Sequence, residues 1–373
     1  MAVTVLTPAE AEFIEQRDEF LEVARARYPS APSTIADLLA TPPQPCQPIV
    51  VESLDALSMQ DAEAVAMALT TGYGVAHLVP TAFTRTPPGS PHHMLSLAHR
   101  LADVLPIGYP VDHPMESHPE AAARFGPTDG TLKIYNLPVP AGGPRYREQA
   151  ETNEMFDAHN DGLGYAGLIA TVMFTLDSPP LAGGFTFFQN LVRASLALAE
   201  SDQAAFDSLF LPDAIVAIRP RGKGAIKVTS PVLFVGRGGY PQTFFRVSTG
   251  EYRIEWRNFE PLNRARAVLE RLAQPFGPHS RFVHLMRPGE TIILDNMHVI
   301  HGRTPFVDPH DTIGRVLARK WFVRDQSDTA YKHVPSVHVH ERWARLFPEQ
   351  FASEQLSGEW HYDASLDLNV PVT

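Results

Sequence analysis

Cysteine is almost missing from this sequence: Cys46 is the single one. A disulfide within the chain is therefore excluded, and so is a metal held by a cluster of thiolates. Positive charge is also in deficit, with 31 Lys and Arg against 42 Asp and Glu, a net charge of −11. Such a balance disfavours a nucleic-acid partner, which calls for a basic stripe, and is compatible with a neutral or cationic small molecule. No run of about 18 uncharged apolar residues occurs, which argues against a membrane span. The first twenty residues, "MAVTVLTPAEAEFIEQRDEF", lack a basic start followed by an apolar block, so they do not read as a signal peptide. No internal repeat or low-complexity tract is present. The simplest expectation is a cytoplasmic protein with a small-molecule substrate and neither a nucleic-acid nor a membrane partner. Oligomeric state is not legible.

What is present is apolar content, 44% of the 373 residues, enough for a sizeable core in one large domain with insertions. The 34 prolines read as many loops between short elements. Thr7-Pro8-Ala9-Glu10 opens a helix with a capping box, and Pro29 stops it. A second helix fits Ser58 to about Thr71, before Gly72. The third is "SPHHMLSLAHRLADVLP", opened by Ser90 and Pro91, with His92 and His93 in its start. From about residue 130 the texture becomes β-like: "GTLKIYNLPV", "LIATVMFTL", "GGFTFFQN", "AIVAIRP", "PVLFV", "QTFFRVS", "ETIILDN", "HVIHGRTPF" and "GRVLARKWFVRD". Helices are expected at "LVRASLALAESDQAAFDSLF" and "PLNRARAVLERLAQPF". Residues 136–155 read as a long loop able to act as a lid. Early helices followed by many short strands predict a mainly β protein with flanking helices around a jelly-roll, or double-stranded β-helix, core.

The stretch "FDAHNDG", residues 156–162, is a turn by composition. On a strand, however, His159 and Asp161 would leave the same face. His301, in the later run "LDNMHVIHGRTPFVDPHDTIGRVLARKWF", is the natural third member. Two imidazoles and one carboxylate on one face of an octahedron make the non-haem Fe(II) oxygenase site. Such an oxygenase needs an electron source, and 2-oxoglutarate can serve, with O2 at the remaining position. The far carboxylate of 2-oxoglutarate calls for a forked cation. Arg315 is the candidate, with a hydroxyl from Thr186 beside it and Arg319 on the same face. Each residue also has a bland reading: a hydrogen-bonded turn for His159 and Asp161, a core histidine for His301, a solvated strand face or salt bridges for the arginines. Order and spacing together favour the metal site.

In this pattern, His-x-Asp, then Gly-Gly-x-Thr, then Asp-Asn and His-Gly-Arg, then two arginines, the chain resembles the taurine dioxygenase and clavaminate synthase-like group of Fe(II)/2-oxoglutarate oxygenases. The likeness covers roughly residues 60–325 and includes "ALTTGYGVAHL" and the hairpin-like "PVLFVGRGGYPQTFFRVS". Asp161 departs from the Glu common in the clavaminate synthase branch and matches taurine dioxygenase; a carboxylate there speaks against halogenation. The resemblance implies one oxygenase domain over 1–373: a helical part packing on the core (1–125), the jelly-roll core (126–325) and a C-terminal extension (326–373). It further implies that His159, Asp161 and His301 hold iron, that Thr186 and Arg315 hold 2-oxoglutarate, and that Arg319 takes a carboxylate of the substrate. The expected reaction is hydroxylation of an unactivated C–H bond in an amino acid or amino-acid derivative. Desaturation, epoxidation and ring formation stay open on the same site, as does a metal-binding jelly roll without activity. Glu255 or Glu251, after the hairpin, would meet a cationic end of the substrate. Asp157 is a second-choice carboxylate because the family order puts His first, and Arg319 and Arg303 are reserves for the 2-oxoglutarate clamp. Asp295-Asn296 reads as a structural turn. His298 and the pair His338 and His340 lie outside the expected site.

Overall fold

The computed structural model describes residues 8–40, 46–83, 92–105, 107–111, 131–137, 149–162, 169–221, 224–236, 239–247, 252–276, 282–309, 314–323, 360–363 and 368–371. The first elements are α1 (Pro8–Arg27), α2 (Ile35–Ala40), β1 (Pro48–Val51), α3 (Met59–Thr70), β2 (Val75–Pro80), α4 (His93–Val104) and β3 (Tyr109–Val111). Next come β4 (Leu132–Tyr135), β5 (Phe156–His159), β6 (Ile169–Ser178), β7 (Ala182–Gly183), β8 (Thr186–Asn190), α5 (Leu191–Ser201) and α6 (Gln203–Ser208). Then follow β9 (Ile215–Arg221), β10 (Gly224–Ser230), β11 (Leu233–Val235), β12 (Pro241–Thr243), β13 (Arg253–Trp256) and α7 (Glu260–Leu272). The last are β14 (Phe282–His284), β15 (Thr291–Asp295), β16 (Val299–Arg303), β17 (Phe306–Val307), β18 (Val316–Val323), β19 (Trp360–Asp363) and β20 (Leu368–Pro371).

Local chemistry sets the helix ends. Ser58 caps α3 with a full capping box: its hydroxyl accepts from the Asp61 N–H, and the Asp61 carboxylate accepts from the Ser58 N–H. α4 begins later than the sequence suggests. Its cap is His92, whose Nδ1 accepts from the Met94 N–H; Ser90 and Pro91 lie outside the described residues. The expected helix from Leu191 onward is two, broken at Asp202, whose carboxylate caps α6 by accepting from the Ala205 N–H.

Two sheets carry the site. The larger runs β1-β2-β15-β6-β18-β3, with β4 also on β18; the smaller runs β14-β8-β16-β5. Strand alternation gives the larger sheet two different faces. On its outer face Ala76, Leu78, Met173, Ile293, Ala318 and Phe322 pack under α3 and α4. On its inner face register aligns Arg319, Phe174, Ile292 and His77 in one row across four strands. The smaller sheet answers with the row His159, His301, Phe188 and Phe282. Phe174 and His301 bring the rows together, their ring centroids 5.1 Å apart. Fully burying side chains such as Phe188 and Ile292 contributes roughly 1.5–3 kcal/mol each. The architecture is the double-stranded β-helix expected from the strand pattern.

Three details differ from the sequence reading. The N-terminal part, where the sequence predicts helices and the one strand "GYGVAHLVP" that forms β2, also gives β1 and β3 to the larger sheet. The runs "GAIKVTS" and "RIEW" are strands that the reading passed over, forming a sheet in the order β10-β9-β13. "QTFFRVS" is strand only at its start, although β11 and β12 do pair as the expected hairpin. Residues 138–148 of the supposed lid, and His338 and His340, lie outside the described residues.

Candidate active site

His301 sits mid-strand in β16, directly across from His159 at the end of β5. Gly302 lets these strands meet: a Cβ there would lie 2.6 Å from the Phe156 carbonyl oxygen. Asp161 is not on the strand. It lies in the turn beyond β5, so the i, i+2 argument gives the right pair for the wrong reason. Two buried asparagines bend the chain. Asn160 Nδ2 donates to the Asn296 carbonyl, and Asn160 Oδ1 accepts from the Phe245 N–H. Asn296 Oδ1 in turn accepts from the Asp161 N–H, while its Nδ2 donates to the carbonyls of Asp161 and Ile169. This turn brings Asp161 back beside both imidazoles.

One ligand atom from each of His159, Asp161 and His301 lies within 4.8 Å of the others, and all three residues are buried. His159 Nδ1 is 2.7 Å from the Asp157 carbonyl oxygen. A carbonyl only accepts, so Nδ1 carries the proton and Nε2 of the neutral ring presents a lone pair. Burial holds His159 below its ordinary range, against the opposing pull of Asp161. Burial also pushes His301 down, to about 3, with His159 adding to the shift. Burial by itself would raise Asp161, but the Arg319 guanidinium outweighs it and keeps this carboxyl well below the usual range. His159 Nε2 and Asp161 Oδ1 are then two lone-pair donors 3.1 Å apart, and His301 Nε2 is 3.7 Å from the same oxygen. His301 Nδ1 is buried without a hydrogen-bond partner among the described residues. A cation between the three resolves the repulsion, and the donor set of two imidazoles and one carboxylate fits non-haem Fe(II).

The other carboxylate oxygen is occupied. Asp161 Oδ2 accepts from Trp321 Nε1 at 2.6 Å and from an Arg319 NH at 3.1 Å. Arg319, expected at a substrate carboxylate, is thus engaged with a carboxylate of the protein itself, the bland alternative weighed from the sequence. Trp321 escaped the sequence reading, though its position two residues beyond Arg319 on β18 marks it as a neighbour on the same face. Both donors point Oδ1 at the imidazoles. Trp321→Phe keeps the bulk and drops the donor, so divalent-ion affinity is expected to fall about tenfold, as outer partners of ligands generally contribute. Fe(II) titration of both proteins measures this; equal affinities would remove Trp321 from the account.

Arg315 lies just before β18 and is fully enclosed. Its guanidinium sits 5.4 Å from the Phe306 ring centroid, and Arg303 covers the same ring at 4.7 Å. Burial lowers Arg315, to about 10, against the pull of Asp308. Arg303 is lowered by burial and then by Arg315. Among the described residues, Arg315 makes no side-chain hydrogen bond or ion pair, although Asp308 accepts from its main-chain N–H. Among the described residues, two buried guanidinium groups facing the single acid Asp308 leave a place for an anion. Thr186 opens β8, buried, and pairs in register with Arg303. The preceding glycines serve the approach: Gly183 has φ +74°, and a Cβ on it would lie 2.3 Å from the Pro305 carbonyl oxygen. Arg303 leaves the same strand face as His301, about 7 Å along β16.

Glu255 is not brought to this site. It is exposed on β13 and pairs with Arg253 at 2.9 Å; alternation turns its buried neighbour Ile254 inward instead. Glu251 lies outside the described residues. Arg246 was missed. It is buried, bridges to His159 in the backbone, and depresses both imidazoles through its charge. Asp157 contributes its carbonyl, not its carboxylate. Asp295-Asn296 is structural, as expected: Asp295 pairs with Arg27 at 2.5 Å and accepts from the Met297 N–H. His298 is satisfied by the Tyr28 hydroxyl and the Pro241 carbonyl.

No helix among the described residues is long and apolar enough to cross a membrane. No curated protein sequence matches the chain. Among solved structures, an asparagine oxygenase in complex with Fe(II), 3-hydroxyasparagine and succinate is 18% identical, covering 86% of this chain and 93% of its own, with a TM-score of 0.49. The PvcB protein from Pseudomonas aeruginosa is 17% identical, covering 78% of this chain and 91% of its own, with a TM-score of 0.49. A taurine dioxygenase from Burkholderia xenovorans is 17% identical, covering 76% and 89%, with a TM-score of 0.45. The model of one family matches residues 45–321, which include the His159, Asp161 and His301 cluster and both arginines of β18 and its approach. The chain belongs to the taurine catabolism dioxygenase TauD, TfdA family.

Proposed function

We propose that the protein is an Fe(II)- and 2-oxoglutarate-dependent dioxygenase that hydroxylates an unactivated C–H bond of a small carboxylate-bearing substrate, in the class of amino acids and their derivatives. The observation that carries this reading is the convergence of one ligand atom each from the buried His159, Asp161 and His301, all within 4.8 Å of one another. His159, Asp161 and His301 would hold iron. Arg315, with Thr186 beside Arg303, would hold the far carboxylate of 2-oxoglutarate. When bound, Fe(II) with 2-oxoglutarate and O2 supplies oxidation of the C–H bond, the co-substrate leaving as succinate and CO2.

The chain's own residues do the rest. The Asp157 carbonyl fixes the tautomer of His159. Trp321 and Arg319 hold the outer oxygen of Asp161. Phe174 and Phe188 on the facing rows keep the enclosed layer dry, which a reactive oxidant requires. Arg246 lies close enough to both imidazoles to lower them by its charge, and a cation there suits a carboxylate on the substrate. The exposure of Glu255 points the same way, because no described acid replaces it beside the cluster.

The test is turnover of the iron-loaded protein with 2-oxoglutarate and a panel of amino acids, their amides and the corresponding amines. Succinate should rise with carboxylate-bearing members, and a product should appear that is heavier by one oxygen atom. Succinate no greater than in the iron-free control under every condition would sink the oxygenase reading. Equal turnover of the decarboxylated amines would sink the substrate class alone.

A further inference from the structure

The inner layer holds a second cluster at its opposite edge. His77 lies at the far end of the row that starts with Arg319. His284 belongs to β14, the outermost strand of the smaller sheet. Glu290 immediately precedes β15 and is fixed by the backbone of β6, with Leu176 N–H donating to its carbonyl. One ligand atom from each of the three lies within 4.8 Å of the others. Phe174, Phe188 and Ile292 stand between this cluster and the active site in the two rows, so it shares no residue with that site.

Its chemistry is unfinished. Glu290 is 5% exposed, and among the described residues no lysine or arginine side chain pairs with it. Its Oε2 receives His284 Nε2 at 2.6 Å and the Arg287 main-chain N–H at 2.9 Å. His77 is also 5% exposed. Its Nε2 is 3.4 Å from the same carboxylate oxygen and is buried without a hydrogen-bond partner among the described residues. A closed hydrogen-bonded triad would satisfy that nitrogen, and this arrangement does not. A buried carboxylate that meets only imidazoles and a main-chain N–H, and a buried nitrogen without a good partner, both cost free energy. One divalent ion would satisfy both. With bonds of about 2.0 Å, tetrahedral zinc places its ligand atoms roughly 3.3 Å apart. The His77–Glu290 separation of 3.4 Å already matches, and the His284–Glu290 contact needs only to open slightly. His284 is part-exposed, with 26% of its side chain accessible, so an ion has a path and water has a fourth position.

We infer that His77, His284 and Glu290 form a second metal site, separate from the active site, that takes a zinc-like divalent ion and staples β2 of the larger sheet to β14 of the smaller. The inference does not rest on the oxygenase reading. It is tested in the full chain carrying His159→Ala and His301→Ala, which removes two of the three donors of the first cluster. Dialysed against Zn2+, this protein should retain one equivalent and melt at a higher temperature than its chelator-treated form. Adding His284→Gln, or separately Glu290→Gln, should lower retention at least tenfold and abolish the zinc-dependent rise in melting temperature. Crystals of the zinc-loaded double variant, measured across the zinc absorption edge, should show the ion on His77, His284 and Glu290. That measurement decides the matter even if the added substitutions unfold the chain. No retained zinc, or an ion located elsewhere, overturns the inference.

Discussion

His301→Ala and His159→Ala should each lower 2-oxoglutarate turnover at least about a thousandfold, a loss near 4 kcal/mol in transition-state stabilisation. Each removes one of three donors where no described side chain stands ready as a spare. Both imidazoles are kept neutral by burial, so neither substitution strips a charge from the interior. The variants should therefore fold, and among the described residues His301 Nδ1 lacks a hydrogen-bond partner to lose. Asp161→Ala is a less clean experiment. It leaves Arg319 and Trp321 facing a gap, and breaking a buried pair from one side costs about 3–5 kcal/mol. Succinate assays with Fe(II) titration of the His variants are the direct check. A folded His301→Ala protein that binds Fe(II) normally and turns over would remove this histidine from the metal centre.

The parts legible in the sequence were those set by composition over a few residues. The buried run of β6 and the span of α3, from Ser58 to the stop before Gly72, are local patterns, and local patterns survive without knowledge of the fold. What failed depended on partners distant in sequence. Asp161 reaches the imidazoles through a turn that Asn296 holds from 135 residues away, and no strand periodicity encodes that. Arg319 was read from its offset to Arg315, but its partner is decided by where the Asp161 turn delivers a carboxylate. Glu255 was placed by position after a hairpin. The strand β13, unrecognised in the sequence, fixes its alternation and turns it to solvent. The second histidine cluster was invisible for the same reason. His77, His284 and Glu290 come from three separate elements, and only the stacking of two sheets makes them neighbours.

Arg315→Ala should raise the Michaelis constant for 2-oxoglutarate at least about thirtyfold. Truncating one member of an enclosed, charge-assisted pair costs 2 kcal/mol or more, and each 1.4 kcal/mol is tenfold. Arg315→Lys keeps the charge and loses the fork, and about tenfold is expected. Thr186→Val removes one hydroxyl donor, for a change of roughly two- to tenfold. The stability readout separates this from general damage. Arg315 is a buried cation whose guanidinium has no ion-pair partner among the described residues, close to a second cation, Arg303. Deleting it relieves that repulsion and loses packing on Phe306, so the melting temperature without 2-oxoglutarate should stay near the parent value. The rise in melting temperature on adding 2-oxoglutarate, present in the parent through binding to the folded state, should disappear. An unchanged Michaelis constant together with an unchanged thermal response would move the clamp to Arg303. A collapse in stability without ligand would instead make Arg315 a structural residue.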